Sequence, residues 1–129
     1  MYKRQRDDDG WDVIEGQGSL FHPSFAGVSL GLLHGAQPDA LVLCHEPGRP
    51  HIRGLPGRPV PDLRECLARN LEAARLTSPE VRAVGICLNT SGVARDAALR
   101  LCAETGERMQ LPCTDPIAFG VEAITDRLL

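Results

Sequence analysis

ALVLCHEPGR, residues 40–49, is the stretch that decides how this chain is read. Residues 40–44 form an unbroken apolar run, with Pro38-Asp39 before it and Pro47-Gly48 after it. A strand buried on both faces has this pattern, whereas a strand with one wet face alternates apolar and polar residues. The run then stops in a polar cluster, His45 and Glu46, followed by Arg49.

Two other runs behave the same way. Residues 11–14 (WDVI) read as a short buried strand ending in Glu15-Gly16-Gln17-Gly18-Ser19, and residues 81–88 (VRAVGICL) read as a strand ending in Asn89-Thr90-Ser91-Gly92. Helical spacing fills the intervals. Phe25, Val28, Leu32 and Leu33 predict a helix over 25–35. Gly27, Gly31 and Gly35 recur on one side of it, which reads as tight helix-to-sheet packing, with Gly35 also a candidate C-cap. His34, late in this helix, reads as a packing residue. Residues 46–61 hold five prolines and three glycines and read as a loop. Asp62 followed by Glu65 resembles a capping box opening a helix that ends near residue 76. Ser91 is the candidate cap of a helix over 93–104, stopped by Thr105-Gly106. A short extended piece is expected over 109–111, and a last helix over 118–129 with Gly120 as its weak point.

Alternating strands and helices predict an α/β fold, a three-layer parallel sheet with helices on both faces. Right-handed crossovers then bring every strand's C-terminal end to one edge of the sheet. Ligands of open parallel sheets bind outside that edge.

The composition narrows the partners. The chain has 129 residues, enough for one modest core, and a net charge of −3. Its thirteen arginines are scattered and not gathered into a basic stripe, which speaks against nucleic acid. No apolar run approaches the roughly 18–20 residues of a membrane span. Five cysteines, an odd number with no C-x-x-C pair, speak against a disulfide framework or a zinc knuckle and for a reducing, cytoplasmic compartment. Lys3 is the only lysine, so lysine chemistry has no candidate inside the domain. The leader, residues 1–10 (MYKRQRDDDG), is unlike the rest of the chain and is expected to be non-native or disordered. Its first five residues resemble adaptor read-through in translated environmental (metagenomic) sequence, so residues 11–129 are expected to be part of a longer protein.

The candidate site residues are those at the three polar strand ends. Glu15 could serve as a general base or hold Mg2+, which takes one or two carboxylates together with phosphate and water. The backbone N–H groups of Gly16, Gly18 and Ser19 could face an anion. His22 and His45 are candidate proton carriers, because histidine titrates near neutral pH. Glu46 shares the second edge, and Arg49 could pair a phosphate or carboxylate through two N–H groups. Asn89, Thr90 and Ser91 could read a base or acyl group, or simply cap the following helix. The chain contains neither G-x-x-x-x-G-K-[ST] nor G-x-G-x-x-G after a strand, so it cannot complete phosphate binding alone.

The blocks EGQGSLFHPSFAGVSLGLLHGAQPDALVLCHEPGR, VGICLNTSG and LPCTDPIAFGVEAITDRL resemble the C-terminal domain of the D-glutamate N-acetyltransferase family, long catalogued as a domain of unknown function. The likeness runs from residue 11 to the C-terminus. It implies a P-loop NTPase-like fold, here truncated at its N-terminus, with a Rossmann-like N-terminal domain of the same polypeptide missing. E-G-x-G after a strand is also similar to dethiobiotin synthetase-type enzymes, and by that likeness Glu15 takes the metal side and Asn89 the nucleobase side. The expected function is acetyl transfer from acetyl-CoA, as co-substrate, to the amino group of D-glutamate, with Glu15 or His45 as base. The alternatives are a Mg-ATP-dependent ligase or kinase, or a non-catalytic nucleotide- or CoA-binding module. The expected partners are a small-molecule substrate and further copies of the chain in a homo-oligomer.

Overall fold

The computed structural model describes residues 10–16 and 19–128. The leader, apart from Gly10, and Gly18 of the first loop lie outside the described residues. The elements run α1 (Ala26–Ala36), β1 (Ala40–His45), α2 (Leu63–Arg75), β2 (Arg82–Leu88), α3 (Arg95–Met109), β3 (Cys113–Thr114), α4 (Pro116–Phe119) and α5 (Glu122–Thr125). The three strands form one parallel sheet in the order β1-β2-β3. Leu43 faces Ile86 and Cys44 faces Cys87 across β1 and β2, and a register shift after Leu41 leaves Val84 without a partner.

Both apolar runs form strands, but only β2 is buried as its pattern predicted; no residue of β1 is fully buried, and Val42 and Cys44, on one face of it, are exposed, so the expectation of a strand covered on both faces fails there. Val84, Ile86 and Leu88 of β2 are almost fully buried. Cys102 of α3 packs on Ile86 and Leu88, with Leu43, Met109 and Phe119 around them. The opposite face of β2 holds Gly85, where an added Cβ would lie 2.6 Å from Cγ1 of Ile124 in α5. Helices therefore cover both faces, α3 on one and α5 on the other. α2 joins the first layer through Arg64, whose Nη2 donates to the Arg108 carbonyl at 2.5 Å. α1 is tied to α2 by His34, whose Nε2 lies 2.8 Å from the Ala73 carbonyl, in keeping with its reading as a packing residue.

Local signals held unevenly. Asp62 caps α2, accepting from the Arg64 N–H at 2.8 Å. α3 is not capped by Ser91: the helix begins three residues further on, with Ala94 as its N-cap and no side-chain cap. Thr105-Gly106 do not stop α3. The helix runs on to Met109, and Gln110 turns it off in the left-handed region. Gly106 serves another purpose, since the chain folds back so closely that an added Cβ would lie 3.1 Å from the Leu111 carbonyl. That return displaces the last strand from 109–111 to Cys113–Thr114. The expected C-terminal helix is two short ones, because Gly120 has φ 82° and ends α4.

The expected first strand does not form. Residues 11–14 carry no regular structure, and Trp11, Val13 and Ile14 are exposed, Val13 at 95%. Among the described residues nothing pairs with this segment, and a four-residue run without a partner leaves its backbone groups to water. The α1 glycines fail as a packing stripe: nothing lies within 4 Å of an added Cβ at Gly27, Gly31 or Gly35. Gly35 stays inside the helix and Gln37 takes the left-handed cap. α1 buries none of its residues, although its sequence is apolar nearly all round. Among the described residues no helix is long and apolar enough to cross a membrane.

The Gly85–Ile124 contact yields a direct test. Gly85→Ala should cost about 1–3 kcal/mol in urea unfolding, the usual cost of overpacking. Adding Ile124→Ala, which removes all three crowding carbons, should make the double loss smaller than the sum of the single ones, whereas strictly additive losses would mean that the two positions are not in contact.

Candidate functional site

All three strands end at one groove of about 690 Å3, within the range of small-molecule sites. β1 contributes Cys44 and His45, with Glu46 just beyond it. β2 leads into Asn89, Thr90 and Ser91. β3 leads into Asp115 and the short helix α4, and the first turns of α3 supply Arg95 and Ala98. The groove thus occupies the carboxyl edge of the parallel sheet.

Asp115 organises it. The residue is 4% exposed, and its two carboxylate oxygens accept four hydrogen bonds. Oδ2 takes the Thr90 N–H at 2.8 Å and the Thr90 hydroxyl at 2.5 Å. Oδ1 takes the N–H groups of Ile117 at 2.9 Å and Ala118 at 3.2 Å, capping α4. Pro116 at the first helical position completes a regular start signal. The Thr90 hydroxyl is the largest influence holding the Asp115 carboxyl below its ordinary value, with the three N–H groups adding to it and burial opposing.

His45 is half-buried. Burial, then the Arg49 guanidinium, pushes its pKa below the ordinary 6.5, against a pull from Glu46. Its imidazole is therefore neutral at pH 7 and able to accept a proton. Glu46 is ion-paired with Arg49, so neither charge is idle. Cys44 and Cys87 share a thiol hydrogen bond. Burial raises both, with the Glu15 carboxylate adding to the rise at Cys44 and the Cys44 thiol raising Cys87 to about 11. Both are protonated thiols at neutral pH, poor nucleophiles by that measure.

The other sequence candidates are placed differently. Glu15 is exposed and close enough to act on Cys44, but it does not line the groove. Gly16 passes over α1, where an added Cβ would meet Leu32 at 2.8 Å. Ser19 and His22 build the turn before α1. Ser19 Oγ accepts from the Phe21 N–H at 3.1 Å. His22 Nδ1 accepts from the Ser24 N–H at 3.1 Å, so Nε2 carries the proton and donates to the Arg53 carbonyl at 3.2 Å. Asn89 Oδ1 accepts the Ser91 N–H at 3.1 Å, and Thr90 gives both its donors to Asp115. The sequence reading missed Asp115, Arg95 and Phe119. The signal for Asp115 was present: an Asp-Pro pair directly after a strand is a helix start at the ligand edge. Among the described residues no group of three His, Cys, Asp or Glu could hold a metal ion. Glu15 stands as a single carboxylate, which fits magnesium only in company with a substrate phosphate.

The Asp115 clamp predicts a pH signature. A depressed carboxylate contributes stability above its unfolded value, about 3.9, and loses it as pH falls through the lower folded value. Asp115→Asn should cost about 2 kcal/mol at pH 7 in urea melts, and the difference from the parent chain should close below pH ~4. Parallel stability curves from pH 3 to 7 would contradict this.

The comparisons with known proteins agree with this architecture. A family model described as the domain of unknown function DUF1611, C-terminal P-loop domain, matches residues 1–125. A D-glutamate N-acetyltransferase from Pseudoalteromonas sp. is 50% identical over 118 residues, 92% of this chain and 36% of that protein. A protein of the same name from Tritonibacter scottomollicae is 48% identical over 122 residues, 95% of this chain and 37% of that protein. The crystal structure of a DUF1611 family protein from Anabaena variabilis matches with a TM-score of 0.82 at 38% identity, covering 88% of this chain and 33% of that one. The chain spans about a third of the length of the relatives it matches. The family match over nearly all its residues means that the chain belongs to the DUF1611 family, whose P-loop domain it carries.

Proposed function

We propose that this chain is the C-terminal part of an N-acetyltransferase that moves acetyl from acetyl-CoA to the amino group of D-glutamate, in the cytoplasm. The observation that carries the reading is its 50% identity, over 92% of its length, to a protein of that name. The groove at the strand ends, with a neutral histidine in it, supports the reading chemically.

Amide formation from a thioester needs an uncharged amine. His45 takes the proton from the D-glutamate ammonium. The amine nitrogen then attacks the acetyl carbonyl, the carbon–sulfur bond breaks, and CoA leaves as a thiolate that takes up a proton. The oxyanion formed on the way needs donors. Thr90 is a positioning residue in this scheme, since both its donors are committed to Asp115. The Ser91 hydroxyl and the N–H groups opening α3 are the donors assigned instead. Glu15, beside Cys44, is assigned to the boundary with the remaining two thirds of the enzyme. That remainder is proposed to supply the Rossmann-like domain, to cover the apolar flank of α1, and to complete any phosphate site.

The family's P-loop domain favours one second reading, Mg-ATP-dependent ligase or kinase chemistry with Glu15 on the metal side. It would show itself as magnesium-dependent ATP turnover.

The test follows free CoA thiol in the full-length enzyme carrying this domain, with D- and L-glutamate as acceptors. Release that requires D-glutamate is expected, with kcat/KM rising through a pKa below 6.5 as His45 loses its proton. His45→Gln should lower kcat about 10²- to 10⁴-fold, the usual worth of a positioned base. No CoA release with either acceptor would overturn the reading, and an unchanged kcat in His45→Gln would remove the base assignment.

A further inference from the structure

We propose that Arg95, laid against Phe119 at the start of α3, is the anion clamp of the groove and takes a carboxylate or phosphate oxygen of the bound substrate. The inference rests on the charge inventory of the groove, and on the acetyltransferase reading only for which anion is bound.

Four ionisable residues besides the cysteines line this space: His45, Glu46, Asp115 and Arg95. Three of them are already accounted for. Burial and Arg49 keep His45 neutral. Glu46 is neutralised by Arg49. Asp115 spends both oxygens on four protein donors. Arg95 has no carboxylate partner among the described residues, so its positive charge is the one left uncompensated in the groove.

Its geometry is that of a prepared donor. The guanidinium carbon sits 5.0 Å from the Phe119 ring centroid. One nitrogen, Nη1, donates to the Ala118 carbonyl at 3.3 Å. A guanidinium over an aromatic face is held there by cation–π attraction and loses water on that side. The planar fork has five N–H donors, and a carboxylate or phosphate matches its spacing through two parallel bonds. The setting adds to the attraction. α3 is 15 residues long and starts without a side-chain cap, so its first-turn N–H groups and the positive end of its dipole lie at the same end of the groove as Arg95. Asp115 in turn anchors Ala118 and the α4 turn that carries Phe119. The platform under the guanidinium is thus held by the same carboxylate that orders Thr90.

Two anions of the proposed reaction fit this chemistry: a carboxylate of the acceptor amino acid, or a phosphate of CoA. The experiment compares Arg95→Gln and Arg95→Lys with the parent in the full-length enzyme, measuring KM for D-glutamate and for acetyl-CoA separately. Arg95→Gln should raise one KM by about 10- to 100-fold with a smaller change in kcat, and Arg95→Lys should recover only part of it, since an ammonium cannot stack or bond through a fork. A rise confined to D-glutamate identifies the carboxylate. A rise confined to acetyl-CoA, with loss of discrimination between CoA and dephospho-CoA in calorimetric binding, identifies the phosphate. A general kcat loss with both KM values unchanged would overturn the proposal and leave Arg95 a structural support for Ala118. Should the enzyme show no turnover with D-glutamate, calorimetric titration with glutarate and with CoA still decides the matter. Binding that Arg95→Gln abolishes upholds the clamp, and a parent protein that binds neither anion refutes it.

Discussion

The buried carboxylate of Asp115 is the constraint on which the site depends. β3 contributes only two residues to the sheet, too few for ladder bonds alone to fix the turn into α4. Asp115 stands directly after them and gathers four donors from two separate segments. One segment is the β2–α3 loop, through Thr90. The other is the first turn of α4. A single charge therefore ties two of the three strand ends together, and hydrogen bonds to an ionised acceptor are roughly twice as strong as neutral ones. Remove that charge and the groove loses the tie between two of its walls, while the core around Ile86 and Leu88 keeps its own contacts.

The same clamp sorts the groove chemically. It consumes the Thr90 donors, which removes Thr90 from contact chemistry and makes it a support. It fixes α4, and with it the Phe119 ring under Arg95. The carboxylate, though buried in the wall, presents no free oxygen to a ligand. A neutral histidine lies on β1, an uncompensated guanidinium at the start of α3, and protonated thiols line the sheet edge between the loops. Such a site favours an anionic ligand that must give up a proton. It does not favour a thiolate nucleophile, because burial holds Cys87 as a thiol up to about pH 11.

Much of this was legible in the sequence, for physical reasons. The apolar runs at 40–44 and 81–88 were legible as strands, and their polar ends marked the ligand edge, but only β2 is buried, and β1 leaves Val42 and Cys44 exposed. The cap at Asp62 was local and therefore readable. What failed was non-local. Whether 11–14 pairs as a strand depends on a neighbour, and the described residues provide none. Gly106 looked like a helix stop but is a point where the returning chain passes close, a fact of tertiary packing. Ser91 looked like a cap, but α3 begins only after Ala94, three residues beyond it. Glu15, Ser19 and His22 had suitable chemistry, yet the structure puts Glu15 at the edge of the site and Ser19 and His22 into the turn before α1. The capping role of Asp115 was local and readable from its Asp-Pro pair, but its tie to Thr90 and the contact of Arg95 with Ala118 lie about 25 residues away in the chain, where no short motif reaches.

Among the described residues no strand pairs with the outer side of β1, and α1 buries none of its residues, in a chain about a third as long as the relatives it matches. The central claim is that the groove between β1, β2 and α4 holds the reacting groups. The most direct measurement is a crystal structure of the full-length protein carrying this domain, grown with CoA and D-glutamate. The account predicts ligand density between His45, Ser91 and Arg95, with an anionic group against the Arg95 guanidinium. Density seated wholly outside this domain, leaving the groove to water, would contradict it.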